Sequence, residues 1–286
     1  MTRADPSFVL TLSCPDRPGI VAAISGCLAE RDWNITDSAQ FGDPESGRFF
    51  LRISFAVAGG TALAEVCKAF APIFDRFDMA ATVYDLGRKP RAIILVSRFG
   101  HCLNDLLYRD RIGALPIDIR AIVSNHRDFY QLAASHDIPF HHLPTTRDTK
   151  ARQEARLAEL IEEEAADFIV LARYMQILSS DLCKALRGRA INIHHSFLPS
   201  FKGVRPYHQA HKRGVKLIGA TAHYVTADLD EGPIIEQEIV RVDHAMSPDD
   251  LVAAGRDVEC LVLARAVKWH AEHRILVNGN RTVVFR

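Results

Sequence analysis

The sequence lacks cysteines at metal-knuckle or CxxC spacing. Cys14, Cys27, Cys67, Cys102, Cys183 and Cys260 are scattered along the chain. That argues against a zinc site made by cysteine alone and fits buried thiols in a reducing compartment. Surplus positive charge is also missing: Lys plus Arg number 35 and Asp plus Glu number 35. A dedicated nucleic-acid binder usually carries a basic excess, although a local basic patch is compatible with this balance. No run approaches the roughly 20 apolar residues that span a bilayer. The opening MTRADPSFVLTLSCPDRPG holds one short apolar run, broken by Pro15, Asp16 and Arg17, and is a poor secretory signal. These absences lead us to expect a cytoplasmic protein with neither nucleic acid nor membrane as partner. GxSxG is absent too, so Ser196 lacks that nucleophile context. There is no internal repeat and no low-complexity tract.

What is present is the balance of a globular chain, 286 residues with 48% hydrophobic and 24% charged. That length fits one large domain or two ordinary ones and can bury a substantial core without staples. Phe8 to Ser13 reads as a strand. After it, Asp16 is placed to cap a helix with Pro18 in its first turn, and Ile20, Ile24 and Leu28 recur at helical spacing. Phe49 to Val57 reads as a strand after a turn at Gly42 to Gly47. Ala62 to Phe77 reads as an amphipathic helix and Ala81 to Leu86 as a closing strand. The order is βαββαβ, that of a ferredoxin-like sandwich. Gly87 to Pro90 is the linker candidate, so the expected domains are 1–87 and 88–286.

The second part is paced by largely apolar runs: Ala92 to Ser97, Ile117 to Ser124, Phe168 to Ala172 and Ala190 to His195. Such runs suit strands buried on both faces. Helical patterns between them, notably Thr149 to Ala165, predict βαβ units and a mostly parallel, Rossmann-like sheet. Ser247, followed by Pro248, Asp249 and Asp250, opens a long helix with a capping box. Asn278-Gly279-Asn280 between two strand-like runs predicts a hairpin near the end.

Two polar clusters interrupt this apolar framework. In AINIHHSFLPSFKG a strand ends in Asn192, His194, His195 and Ser196. Ligands of open parallel sheets bind beyond the carboxyl ends of strands, and period-two alternation puts Asn192 and His194 on one face. His195 should face the other way and reads as structural. The stretch Gly219 to Pro233, GATAHYVTADLDEGP, reads as loop-like and packs His223, Thr226, Asp228, Asp230 and Glu231 close together. A carboxylate beside a histidine fixes its tautomer and raises its pKa. Asp228 and Glu231 read as solvated loop acids. His223 reads either as support for the site or as a satisfied core histidine. Arg205, Tyr207 and His208 open a helix and either line the site entrance or do not, at even weight. The pair His141-His142 is assigned no role.

The pattern Asn-x-His, then Ser-x-Leu-Pro, then His-x-x-Thr-x-x-x-Asp-x-Gly-Pro resembles the folate-dependent formyltransferase superfamily. The longer string HHSFLPSFKGVRPYHQAHKRGVKLIGATAHYVTADLDEGPII resembles the formyltetrahydrofolate deformylases within it. DRPGIVAAISGCLAERDWNI is similar to an ACT domain. The resemblance implies an α/β chain, with a ferredoxin-like ACT domain followed by a Rossmann-like formyltransferase domain. It implies Asn192, His194 and Asp230 as the catalytic set, and hydrolysis of 10-formyltetrahydrofolate to formate and tetrahydrofolate. It implies a pterin pocket walled by Tyr174, Met175, Gln176, Ile177 and Leu178 together with His223, Val225 and Thr226. It also implies effector contacts at Asp16, Gly19 and Ile20, glycine or methionine as effector, a homodimer or homotetramer, no metal, and no cofactor beyond the folate substrate. The purine-pathway transformylase of the superfamily has a Gly-Ser-Asn phosphate loop after its first strand. Here that stretch is Ser97-Arg98-Phe99-Gly100-His101, without a small amide-rich anion cradle, so water is the expected nucleophile. Two other readings stay open: formyl transfer to an amine acceptor, and an amino-acid-responsive regulator on an inactive folate fold. The intact Asn192, His194 and Asp230 speak against the second.

Overall fold

The computed structural model describes residues 7–57, 60–198 and 206–286. Pro199, Gly203 and Arg205 of the sequence motifs lie outside the described residues. Backbone contacts divide the chain into two units. One is Met1–Lys89 with His273–Asn278 and Val283–Arg286; the other is Pro90–Glu272 with Gly279–Thr282.

The first unit grows from β1 (Ser7–Pro15), α1 (Ile20–Ala29), β2 (Asn34–Asp43), β3 (Arg48–Ala56), α2 (Leu63–Phe77) and β4 (Ala80–Asp85). The strands form an antiparallel sheet in the order β2-β3-β1-β4, the ferredoxin-like arrangement expected. Alternation along β3 sorts its side chains. Phe49, Leu51, Ile53 and Phe55 join the core with Ile24 and Leu28 of α1 and Val66 and Phe70 of α2. Phe50 points to the opposite face and packs with Leu276 and Phe285 near the chain end. Those last residues form the expected hairpin, β12 (Ile275–Asn278) and β13 (Arg281–Val284), turning at Gly279 with φ of 61°. The expected boundary at residue 87 puts this tail in the second domain; His273–Asn278 and Val283–Arg286 group with the first unit.

The start of α1 differs from expectation. Asp16 does not cap it, and Pro18 lies before its first turn. The N-cap is Gly19, at φ of 95° and with no side-chain cap. Strand β1 runs on to Pro15, and the backbone of Asp16 is still tied to Gly47 by a 2.9 Å bond from N–H to carbonyl. The chain can therefore turn into the helix only later, where glycine admits the left-handed conformation.

The second unit is a seven-stranded sheet ordered β11-β10-β9-β8-β5-β6-β7. Its strands are β5 (Arg91–Val96), β6 (Asp118–Ser124), β7 (Phe140–His142), β8 (Phe168–Leu171), β9 (Ala190–His194), β10 (Leu217–Tyr224) and β11 (Ile234–Arg241). The helices are α3 (His101–Arg111), α4 (Tyr130–Ala134), α5 (Lys150–Glu163), α6 (Ser180–Ala185), α7 (Pro206–Arg213) and α8 (Pro248–Ala271). Strands β5 to β9 pair in parallel, and β10 and β11 add antiparallel. Chain order reverses between β5 and β8, so the crevice beyond their carboxyl ends is the topological switch point where such sheets bind ligands. Helix α8 starts as expected. Ser247 Oγ accepts from the Asp250 N–H at 3.2 Å, and Asp250 Oδ2 accepts from the Ser247 N–H at 2.8 Å. No helix among the described residues is long and apolar enough to cross a membrane. Cys14, Cys27, Cys102 and Cys183 are buried, whereas Cys67 is exposed and Cys260 half-buried.

Candidate active site

Strand β9 delivers Asn192 and His194 at its carboxyl end, and β10 lies antiparallel beside it, with His223 opposite Asn192 and Thr221 opposite His194. His223 is therefore a strand residue, not part of a loop as its polar neighbours suggested. It is fully buried. Its Nδ1 lies 2.9 Å from the Tyr224 carbonyl, which can only accept, so Nδ1 carries the hydrogen. Burial pushes the His223 pKa down, so the ring is neutral and Nε2 is an acceptor. Asn192 Nδ2 donates to that Nε2 at 3.1 Å, which turns the amide nitrogen inward and leaves its second N–H for another acceptor.

Asp230 enters from the loop between β10 and β11. Its Oδ1 is 3.3 Å from His194 Nδ1 and 3.8 Å from His223 Nε2. The hydrogen bond from His194 holds the Asp230 carboxyl below the usual carboxylate range, against the upward pull of burial. The opposite ring atom, His194 Nε2, is buried and has no hydrogen-bond partner among the described residues. The three side chains singled out in the sequence, separated by up to 38 positions (230 − 192), thus converge with His223 between them. The backbone is shaped for this. Asp230 sits at φ of 59°, the left-handed region that costs most residues energy and that aspartate tolerates. Two residues on, any Cβ at Gly232 would overlap the Tyr224 carbonyl, so only glycine lets the loop return that close.

Thr221, which no sequence motif marks, organises the segment after β9. It is completely buried. Its hydroxyl donates to the Ser196 carbonyl at 3.0 Å and accepts from the Leu198 N–H at 3.1 Å and from Gln237 Nε2 at 2.9 Å. Gln237 also donates to the Leu198 carbonyl at 3.0 Å. The available signal was period two: Thr221 and His223 alternate with Ala220, Ala222 and Tyr224, as strand residues should. His195, expected to face away from His194, is half-buried with its ring centroid 5.1 Å from that of His194. Burial, aided by the positive Arg173, pushes its pKa down to about 4. Tyr207 is buried and does not line an entrance; its hydroxyl donates to Glu259. Asp228 and Glu231 are exposed.

The expected pterin wall follows β8. Tyr174 and Val225 pack on the same core cluster, which contains Leu178, so the two expected wall segments meet there. Burial raises the Tyr174 pKa. Gln176 and Thr226 are half-buried, and Met175 and Ile177 are exposed. Thr226 Oγ1 donates to the Asp228 carbonyl at 3.0 Å. Ser97, at the end of β5, pins this loop across the switch point by accepting from the Met175 N–H at 2.9 Å, and its hydroxyl donates to Asn125 Oδ1 at 2.7 Å.

In the first unit, Asp16 and Gly19 line an open depression of about 550 Å³ with Arg17, Pro18, Val21 and Phe49. Ile20 also borders it, although most of its side chain is in the core. Among the described residues, His101, Cys102 and Glu259 bring possible metal-donor atoms within 4.8 Å of one another. Glu259 Oε2, however, is already bound to His101 Nε2 at 2.7 Å and faces the Arg173 guanidinium at 3.3 Å, a positive group where a cation would have to sit.

Comparison with known proteins finds relatives of both units. The ACT domain family matches residues 8–70, and the formyl transferase family matches residues 90–267. A formyltetrahydrofolate deformylase of Corynebacterium sp. (strain P-1) is 51% identical over 97% of this chain and 98% of its own. The crystal structure of a formyltetrahydrofolate deformylase from Burkholderia mallei superimposes with a TM-score of 0.94 at 53% identity, covering 98% of this chain and 100% of that one. That from Pseudomonas syringae pv. tomato gives 0.96 at 46% identity, covering 100% and 96%.

Proposed function

Because this chain belongs to the formyltetrahydrofolate deformylase family, we propose that it hydrolyses 10-formyltetrahydrofolate to formate and tetrahydrofolate with Asn192, His194 and Asp230 around the formyl carbon. The observation that carries this assignment is the ring of His194, with Nδ1 on a carboxylate and Nε2 buried with no partner among the described residues.

Water adds to the formyl carbon and negative charge develops on its oxygen. The second N–H of Asn192 and the Nε2–H of protonated His194 donate to that oxygen, the electrostatic contribution that is usually largest in acyl transfer. Asp230 orients the water, accepts its proton, and stabilises the imidazolium. Collapse of the adduct breaks the C–N bond, and the proton passes from the Asp230–His194 pair to the leaving nitrogen. Formate and tetrahydrofolate leave with all atoms accounted for, and no metal or further cofactor takes part. Tyr174, Met175, Gln176, Ile177 and Leu178, with Val225 and Thr226, enclose the pterin, and His223 holds Asn192.

Acid quench with product analysis tests the reading. Formate appears at full rate with no amine present; formate or formyl product that forms only when an amine is added would make the chain a transferase instead. In the first unit, Asp16, Gly19 and Ile20 receive glycine or methionine. In the full-length chain, Asp16→Ala abolishes the response to either amino acid and leaves the unstimulated rate in place; an unchanged response contradicts the assignment. The protein acts in the cytoplasm as a homodimer or homotetramer. Cell fractionation and light scattering check these two statements, and a monomeric mass contradicts the second.

A further inference from the structure

The catalytic set leaves one buried carboxylate unused. Glu259 lies in the middle of α8, in the apolar run Val258 to Leu263, and is 1% exposed. Three partners reach it from three separate parts of the sheet. His101 Nε2, at the start of α3 beyond β5, is 2.7 Å from Oε2. Arg173 Nε, in the loop beyond β8, is 3.3 Å from the same oxygen. Tyr207, in the first turn of α7 beyond β9, donates its hydroxyl to Oε1 at 2.7 Å. Burial alone would push the Glu259 carboxyl up, but the His101 bond, the Arg173 charge and the Tyr207 hydroxyl hold it below the usual range.

Two of these partners lead directly to the site. From Tyr207 the path runs by ring contacts: its centroid is 6.3 Å from that of His195, edge to face, and His195 lies 5.1 Å from His194. Arg173 immediately precedes Tyr174 in the loop proposed to hold the pterin. It is held in the left-handed region at φ of 64°, while its carbonyl accepts from the Ser97 N–H at 3.2 Å. Such a conformation persists only where the surroundings enforce it. Helix α8 is itself cut to receive the tyrosine, since a Cβ at Gly255, one turn before Glu259, would overlap the Tyr207 ring.

We propose that Glu259 is a positioning residue of the catalytic centre, a buried carboxylate that fixes the His194 ring through Tyr207 and His195 and the pterin loop through Arg173. This rests on the reading of His194 as a reacting group. Nothing places Glu259 against the substrate; it acts through the two arms. Removing a buried carboxylate that accepts from His101 and Tyr207 and pairs with the Arg173 charge leaves all three without their common partner, and small displacements of a reacting group are expensive in rate.

The two arms separate in kinetics. Tyr207→Phe keeps the ring and loses only the hydroxyl; kcat falls about tenfold with KM held within about twofold. Arg173→Lys releases the loop; KM rises about tenfold with kcat held within about twofold. Glu259→Gln shows both effects. If Glu259→Gln does not fold, the two single-arm variants still decide. Folded variants with wild-type kcat and KM, or with losses that only track the fall in melting temperature, overturn the proposal. Imidazole ¹⁵N spectra supply a readout that needs no turnover. In Tyr207→Phe the ring signals of His195 and His194 move while that of His142, on the far edge strand, does not. Unmoved His195 signals overturn the proposal even if the chain releases no formate, so its failure and that of the hydrolytic reading can be told apart.

Discussion

Replacing Thr221 with valine tests whether the segment after β9 is held in the way the structure implies. The two side chains have nearly the same shape, so the change removes one hydroxyl and little else. That hydroxyl makes three hydrogen bonds in a completely buried position. Gln237 keeps a partner in the Leu198 carbonyl, but the Leu198 N–H loses its acceptor inside the protein. An orphaned buried donor costs about 1–3 kcal/mol, and each other lost bond about 1 kcal/mol. The added methyl returns about 0.8 kcal/mol through burial. The net is a loss of about 2–4 kcal/mol, which for a unit of this size lowers the melting temperature by about 4–16 °C. Differential scanning calorimetry reads the shift directly, and the kcat of the variant should fall because Ser196 and Leu198 follow His194, the histidine proposed to be catalytic. A melting temperature within about 2 °C of wild type, with kcat unchanged, would refute the reasoning that this hydroxyl organises the site.

Four further outcomes follow from the structure. Asn192→Ala removes a donor to the developing oxyanion and should lower kcat by about 10²–10³ with KM little changed, checked by steady-state formate release. His223, whose folded pKa is depressed by burial, should appear in ¹⁵N spectra at pH 6.5 as the neutral Nδ1–H form, where a free histidine is about half charged. A group shifted this way contributes stability above its unfolded pKa and loses it on acidification, so thermal stability should begin to decline below about pH 6.5. Asp230 is depressed as well; its contribution is present above the unfolded carboxylate pKa near about 3.9 and is lost as pH falls through the lower folded value, so Asp230→Asn should flatten only the most acidic part of the curve. Ser247→Ala should destabilise the second unit by about 1 kcal/mol in urea titration and leave KM alone, because the lost capping box lies at the start of α8.

The parts of the fold that the sequence announces are those where one physical signal dominates. Ala92 to Val96 is apolar throughout because β5 is buried on both faces. Ser247 and Asp250 announce α8 through a local reciprocal bond. Strand β2 is different: NITDSAQFGD is almost wholly exposed, and its strand state comes from pairing with β3 rather than from its own pattern. Strand β10 departs from its sequence pattern for the opposite reason. Thr221 and His223 look like loop residues, but each is buried with its hydrogen bonds met by Ser196, Leu198, Gln237, Asn192 and Tyr224. Glu259 illustrates the same limit at the site. An acid inside Val258 to Leu263 is a sequence oddity, but its three partners come from positions 101, 173 and 207, and only the fold brings them together. Asn192, His194 and Asp230 were legible because a family resemblance joined two motifs that spacing alone leaves apart.

The central claim is that the Asp230 carboxylate, 3.3 Å from His194, takes the proton from the attacking water. The most direct test is single-turnover formate release from 10-formyltetrahydrofolate, without amine, by the native chain and by Asp230→Asn. The account predicts full release by the native protein and a rate about 10²-fold lower or less for the variant, with folate affinity retained. A variant rate within about threefold of native, at equal folate occupancy, would contradict it.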